Sequence, residues 1–177
     1  MLDPLTVAWV RDTLDSGPGI YAALLTAHAV SGIAGSLLVG ALGGGVAPRA
    51  LIGWASLAAG AVLLVKYNVP VVWFALALSV VIGVSSVASA VGAETLAQQR
   101  VVDEYRGRVF GSLQATIGLL SLLGAFVGGI LGEIVGVVPM LDVAALLTAL
   151  AGAVVLVAIP RELPARAQRA DSRGDHS

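Results

Sequence analysis

The sequence predicts an all-α fold, a polytopic membrane helix bundle of five transmembrane helices. Three observations predict it: an extreme apolar composition, five apolar runs of spanning length, and the placement of the basic residues. Of 177 residues, 58% are hydrophobic and 12% are charged, against about 45–50% and about 25% in ordinary soluble domains. Mean hydropathy is +0.94. A soluble fold of this length could not hide so much apolar side chain, because its surface needs polar cover. Lipid removes that constraint. The apolar runs are continuous and lack the alternation of barrel strands.

A spanning helix needs about 20 predominantly apolar residues to cross about 30 Å of hydrocarbon. Residues 1–18 fall outside any such run and are expected as an outer N-terminal segment. Pro4–Val10 is too short for a signal-peptide core, Asp3 precedes it, and no basic region leads into it. A cleavable leader is therefore not expected. The first span is expected over residues 19–42, with His28 its only ionisable group, ended by Gly43-Gly44-Gly45 and Ala47-Pro48-Arg49. The second, residues 50–67, is the shortest. Lys66 and Tyr67 are expected to snorkel and anchor at its end. Asn68-Val69-Pro70 turns the chain into the third span, 71–97, which carries Glu94 near its end.

Residues 98–108 form the most polar internal stretch and are expected as a loop at a membrane surface. The fourth span is expected at 109–135. The fifth, at 139–159, has Pro139 suited to a helix first turn. Residues 160–177 are charged and Pro-containing and are expected as a disordered cytoplasmic tail.

Lys and Arg favour the cytoplasmic side. With the aqueous segments numbered alternately, Arg11 and Lys66 fall on one side. Arg49, Arg100, Arg106, Arg108, Arg161, Arg166, Arg169 and Arg173 fall on the other. Eight against two predicts the N-terminus outside and the C-terminus inside a cell (plasma or inner) membrane, which requires an odd number of spans. Five satisfies it.

The fourth span carries Gly124, Gly128 and Gly132 at intervals of four, a small-residue face suited to close helix packing. Gly35, with Ala27 and Ser31, gives the first span a related face. Ionisable groups within a membrane cost about 2.5–3.5 kcal/mol at a helix centre. Glu133 and Asp142 are expected at the outer surface, where water hydrates them. His28 can serve packing, as a neutral imidazole bonded to a neighbouring helix, or proton coupling. Glu94, six residues before Arg100, can pair at the inner interface or gate the cytoplasmic side.

Other chemistries are excluded. A net charge of −1 argues against a nucleic-acid partner. The chain has no Cys, so no disulfide, thiolate nucleophile or thiolate metal site is possible. No GxSxG, HExxH, P-loop or GxGxxG pattern occurs, so neither an enzyme nor a cofactor or metal is expected.

The stretch Gln98-Gln99-Arg100-Val101-Val102-Asp103-Glu104-Tyr105-Arg106-Gly107-Arg108-Val109 resembles the Q-x-x-V-P-D-E-x-R-G-R-V signature of drug and siderophore exporters in the major facilitator superfamily. That signature lies between their transmembrane helices ten and eleven. The nearest branch looks like the enterobactin exporter, macrolide efflux and transmembrane secretion effector group. The Gly-rich fourth span is similar to helix eleven of that group, and Tyr21-Ala22-Ala23-Leu24-Leu25 through Gly40 to helix eight. The likeness extends over residues 2–160. Val102 stands where the family has Pro. The loop between the first two spans keeps Gly40 and Arg49 but lacks the Asp and paired basic residues of the family's gating motif.

The resemblance implies helices eight to twelve of a transporter built from two six-helix halves around a central path. Residues 2–15 resemble the outer end of helix seven and the loop after it, which places Met1 inside a helix in the family register. It further implies an efflux permease for a small, partly apolar molecule of drug or siderophore type. The partners implied are membrane lipid and an N-terminal half-transporter or another helix bundle. The competing expectation is a non-transporting membrane subunit, a helix-bundle interaction protein. Glu94, Arg100, Arg106, Arg108 and His28 are the candidate transport residues.

Overall fold

The computed structural model describes residues 4–42, 46–100 and 106–159. They form six helices: α1 (Pro4–Asp12), α2 (Pro18–Leu42), α3 (Pro48–Asn68), α4 (Val72–Arg100), α5 (Arg106–Val135) and α6 (Val137–Ala158). Helices α2 to α6 are each long and apolar enough to cross a membrane. The protein is a membrane helix bundle, with no strand among the described residues.

A local expectation changes. Residues 98–100 and 106–108 are helical, ending α4 and opening α5, so the polar stretch is helix at both ends. Gln and Arg are good helix formers, and a helix can run past the hydrocarbon into headgroups without leaving a backbone group unpaired. Gly107 therefore lies in the first turn of α5. Asp103 and Glu104 lie outside the described residues. Within the expected outer N-terminal segment, residues 4–12 form the short helix α1.

The spanning helices form a row. α2 packs along α4, α4 along α3, and α3 along α6. α5 stands apart, touching α6 and α1 lightly, and nearly all its side chains are exposed. α1 touches α2 and α6, the two outermost members of the row, as well as α5. A single residue, Gly136, links α5 to α6 at φ +105°. An L side chain rarely adopts that backbone, so glycine is required for so abrupt a turn.

Small residues set the spacing within the row. A Cβ on Gly60 of α3 would lie 2.6 Å from the Ala149 nitrogen and 2.7 Å from the Ala145 oxygen of α6. One on Gly152 of α6 would lie 2.7 Å from the Gly53 oxygen of α3. Gly92 of α4 faces the Pro48 oxygen and Leu51 of α3, and the Ser56 and Ser89 hydroxyls bond at 3.1 Å across the same seam. Gly35 of α2 faces the Val84 Cα of α4 at 3.0 Å. Lipid tails are as apolar as Leu, so helices associate through such close contact and not through hydrophobic drive.

The stripe on α5 is placed differently. A Cβ on Gly124 meets nothing within 4 Å, while Gly128 and Gly132 face only the side-chain end of Leu5 on α1. Within this chain the four-residue glycine repeat meets α1, and the tight helix seams lie elsewhere.

Candidate functional site

The two ends of the row differ in chemistry. At the end carrying α1, Trp9, Val10, Leu14, Leu24, Tyr67, Ala75 and Leu141 form a core drawn from α1, the α1–α2 link, α2, α3, α4 and α6. Trp9 is fully buried. Its indole N–H donates to the Tyr67 carbonyl at 3.2 Å, and the two rings meet edge to face at 5.2 Å between centroids. That carbonyl belongs to the last turn of α3, where no intrahelical donor remains. Trp9 therefore caps α3 as it fills the core.

Lys66 lies beneath the same ring. It is 6% exposed, which corrects the expected snorkelling: α1 covers the end of α3 and leaves the side chain no path to water. Its ammonium sits 5.8 Å from the Trp9 ring centroid and 5.6 Å from that of Tyr67. Among the described residues it makes no ion pair. Carboxylates of α1 and α6 are engaged elsewhere. Asp12 is exposed and paired with Arg11 at 2.6 Å, and that guanidinium holds its carboxyl below the usual carboxylate range. Asp142 accepts from the Asn68 amide at 2.8 Å. An ammonium taken out of water costs several kcal/mol even after relaxation. Ring contacts near the 6 Å limit return about 0.5–2 kcal/mol each. A charged Lys66 is thus a net cost to this packing.

His28 is half-buried on α2. Its carbonyl accepts from the Ser31 hydroxyl at 2.9 Å, at the point where Gly83 brings α4 closest. No imidazole hydrogen bond to a neighbouring helix occurs among the described residues. Sequence reasoning named His28 and missed Trp9, which lay in a run too short to span. A lysine directly before an aromatic at a span end was the only signal of the cluster, and it suggested anchoring.

At the opposite end, a cavity of about 460 Å³ opens between α2, α3 and α4, walled by Val39, Gly40, Pro48, Leu51 and Val91. Its two hydroxyls, Ser36 and Thr95, each donate within their own helix, to Ile33 and Val91 carbonyls. Arg49, on the first turn of α3, donates to the Leu156 carbonyl in the last turn of α6. A guanidinium at a helix C-terminus satisfies an orphan carbonyl and opposes the helix dipole. Arg49→Leu should lower stability by about 1 kcal/mol, the cost of losing a hydrogen bond to a half-buried acceptor. Arg49→Lys should lose less, and thermal unfolding in mild detergent separates the two. Equal melting of all three proteins would show the cap to be without effect.

Glu94 and Arg108 are both exposed. The pairing of Glu94 with Arg100 or Arg106 falls on side chains outside those described. Glu133 is exposed. No group of three or more His, Cys, Asp and Glu residues able to hold a metal occurs among the described residues.

The family model of the Major Facilitator Superfamily matches residues 1–177. The chain belongs to that superfamily. No curated protein and no solved structure matches it. As a major facilitator protein it is a membrane protein whose function class is transmembrane transport, and members of the superfamily are transporters and not enzymes.

Proposed function

We propose that this major facilitator chain provides helices eight to twelve of an efflux permease in the cell membrane, exporting a small, partly apolar molecule together with an N-terminal half. In this reading α2 to α6 are those five helices, with the α1 end outside and the Arg49 end inside. One observation carries it: α5 crosses the membrane with almost no cover from its own chain, beside the Arg106-Gly107-Arg108-Val109 signature. A helix left so open supports packing against helices that this chain does not itself supply. The eight-to-two distribution of Lys and Arg supports the orientation. Glu94 and the arginines at the α4–α5 junction are the proposed inner gate.

The test is transport of an ethidium-type dye in proteoliposomes, with the chain alone or co-reconstituted with a separately expressed seven-helix N-terminal half from a related exporter. Dye export should require both polypeptides and fall several-fold in Glu94→Gln. Failure to co-purify with the half, and no export in either arm, would support a non-transporting subunit instead. A cytoplasm-active reporter fused after Arg161 should be active, and a silent one would reverse the orientation.

A further inference from the structure

The lysine beneath Trp9 has no place in that mechanism. Its neighbours can be named from every element packed around it. α1 contributes only the exposed Arg11–Asp12 pair, and the α1–α2 link the exposed Asp15. α2 contributes His28 and the half-buried Tyr21; α6 contributes Asp142, bonded to Asn68. The first half of α4 has no ionisable residue, and α5 has the exposed Glu133. A buried lysine thus sits under a helix that Trp9, Val10 and the adjoining Leu14 seal into the core, with Leu5 packed beside them.

α1 shares no extended seam with the row. The link behind it passes through Asp15 at φ +45°, a conformation Asp tolerates better than most residues. Gly17 in that link has open space around it.

We propose that Lys66 is a proton-binding site that controls the seating of α1: with the amine neutral α1 closes over this end of the bundle, and with the ammonium charged α1 lifts away and admits water. The physical reason is asymmetric desolvation. Seating α1 strips water from Lys66, which costs far more for an ammonium than for an amine, and two ring faces near the distance limit do not offset it. Proton uptake from the aqueous side then favours the open end. That this end faces outward rests on the orientation proposed above. The coupling between charge and seating does not, so the two can fail separately.

The full chain in mild detergent tests it, with the exposed Trp54 and Trp73 replaced by Phe so that Trp9 is the sole tryptophan. Acrylamide quenching of Trp9 is measured between about pH 5.5 and 9.5, a window that leaves ordinary carboxylates ionised and tyrosines mostly neutral. Quenching should fall several-fold as pH rises. Lys66→Met should be protected at every pH, and Lys66→Arg, always charged, quenched at every pH. The proposal is overturned if quenching does not change with pH. It is equally overturned if Lys66→Met keeps the wild-type profile, if Lys66→Arg stays protected, or if His28→Gln alone abolishes the response. Because the Met and Arg variants are expected to move in opposite directions, a general loss of structure cannot imitate the result.

Discussion

Gly60→Leu should leave no stable bundle, while Gly124→Leu should purify and melt like the unsubstituted protein. Both are glycines in mid-span of apolar helices, so the difference isolates packing. At Gly60 even a methyl group would stand 2.6–2.7 Å from backbone and Cβ atoms of Ala145 and Ala149. Those atoms cannot rotate away, so α3 and α6 must separate. Overpacking of this kind costs about 1–3 kcal/mol for small additions. Gly60→Ala should therefore be measurably destabilised, and Gly60→Leu should lose the seam altogether. At Gly124 nothing lies within 4 Å of the added Cβ. Size-exclusion profiles and thermal aggregation in detergent make the comparison. A Gly124→Leu protein that aggregates while Gly60→Leu stays monodisperse would place the packing interface on α5 instead.

Trp9→Ala should cost about 3–5 kcal/mol, the range for removing a buried aromatic side chain. Three contributions fall together: the side chain at the centre of the α1 core, the cap on the Tyr67 carbonyl, and the edge-to-face contact with its ring. Trp9→Phe keeps most of the volume and loses the N–H, so it should cost about 1 kcal/mol from the missing hydrogen bond, plus any loss of fit. Trp54 and Trp73 are 66% and 81% exposed, and their replacement by Ala should shift stability by no more than about 0.5 kcal/mol. Thermal unfolding in detergent, with limited proteolysis across residues 13–17, reads both stability and release of α1. Equal melting for the three alanine variants would mean that α1 is an ornament on the bundle and not part of it.

The membrane class and the five helices were legible because both depend on composition summed over about 20 residues, and lipid imposes that sum on any spanning helix. The stretch at residues 98–109 stood out for a different reason: polar residues between two spans contrast with an apolar background. His28 and Glu94 could be singled out on the same ground. Their surroundings could not, because a charge on a linear sequence carries no record of what faces it.

The glycines show where sequence reading stopped. Gly124, Gly128 and Gly132 form the cleaner repeat, yet the tight seams run through Gly53, Gly60, Gly83, Gly92 and Gly152. A repeat along one helix states that a smooth face exists. Only the position of a second backbone decides whether anything lies against it.

Lys66 marks the same boundary from the side of electrostatics. At a span end the sequence favours a lysine that reaches for headgroups, since that is the cheapest placement of its charge. By itself the sequence determined that this chain is a membrane helix bundle with five helices long and apolar enough to cross. Tertiary structure alone decided that α1 folds back over α3, seals Trp9 against Tyr67 and takes the Lys66 side chain out of reach of water. Hydropathy accumulates along a chain and can be added up. Desolvation is fixed by which distant side chain arrives on top.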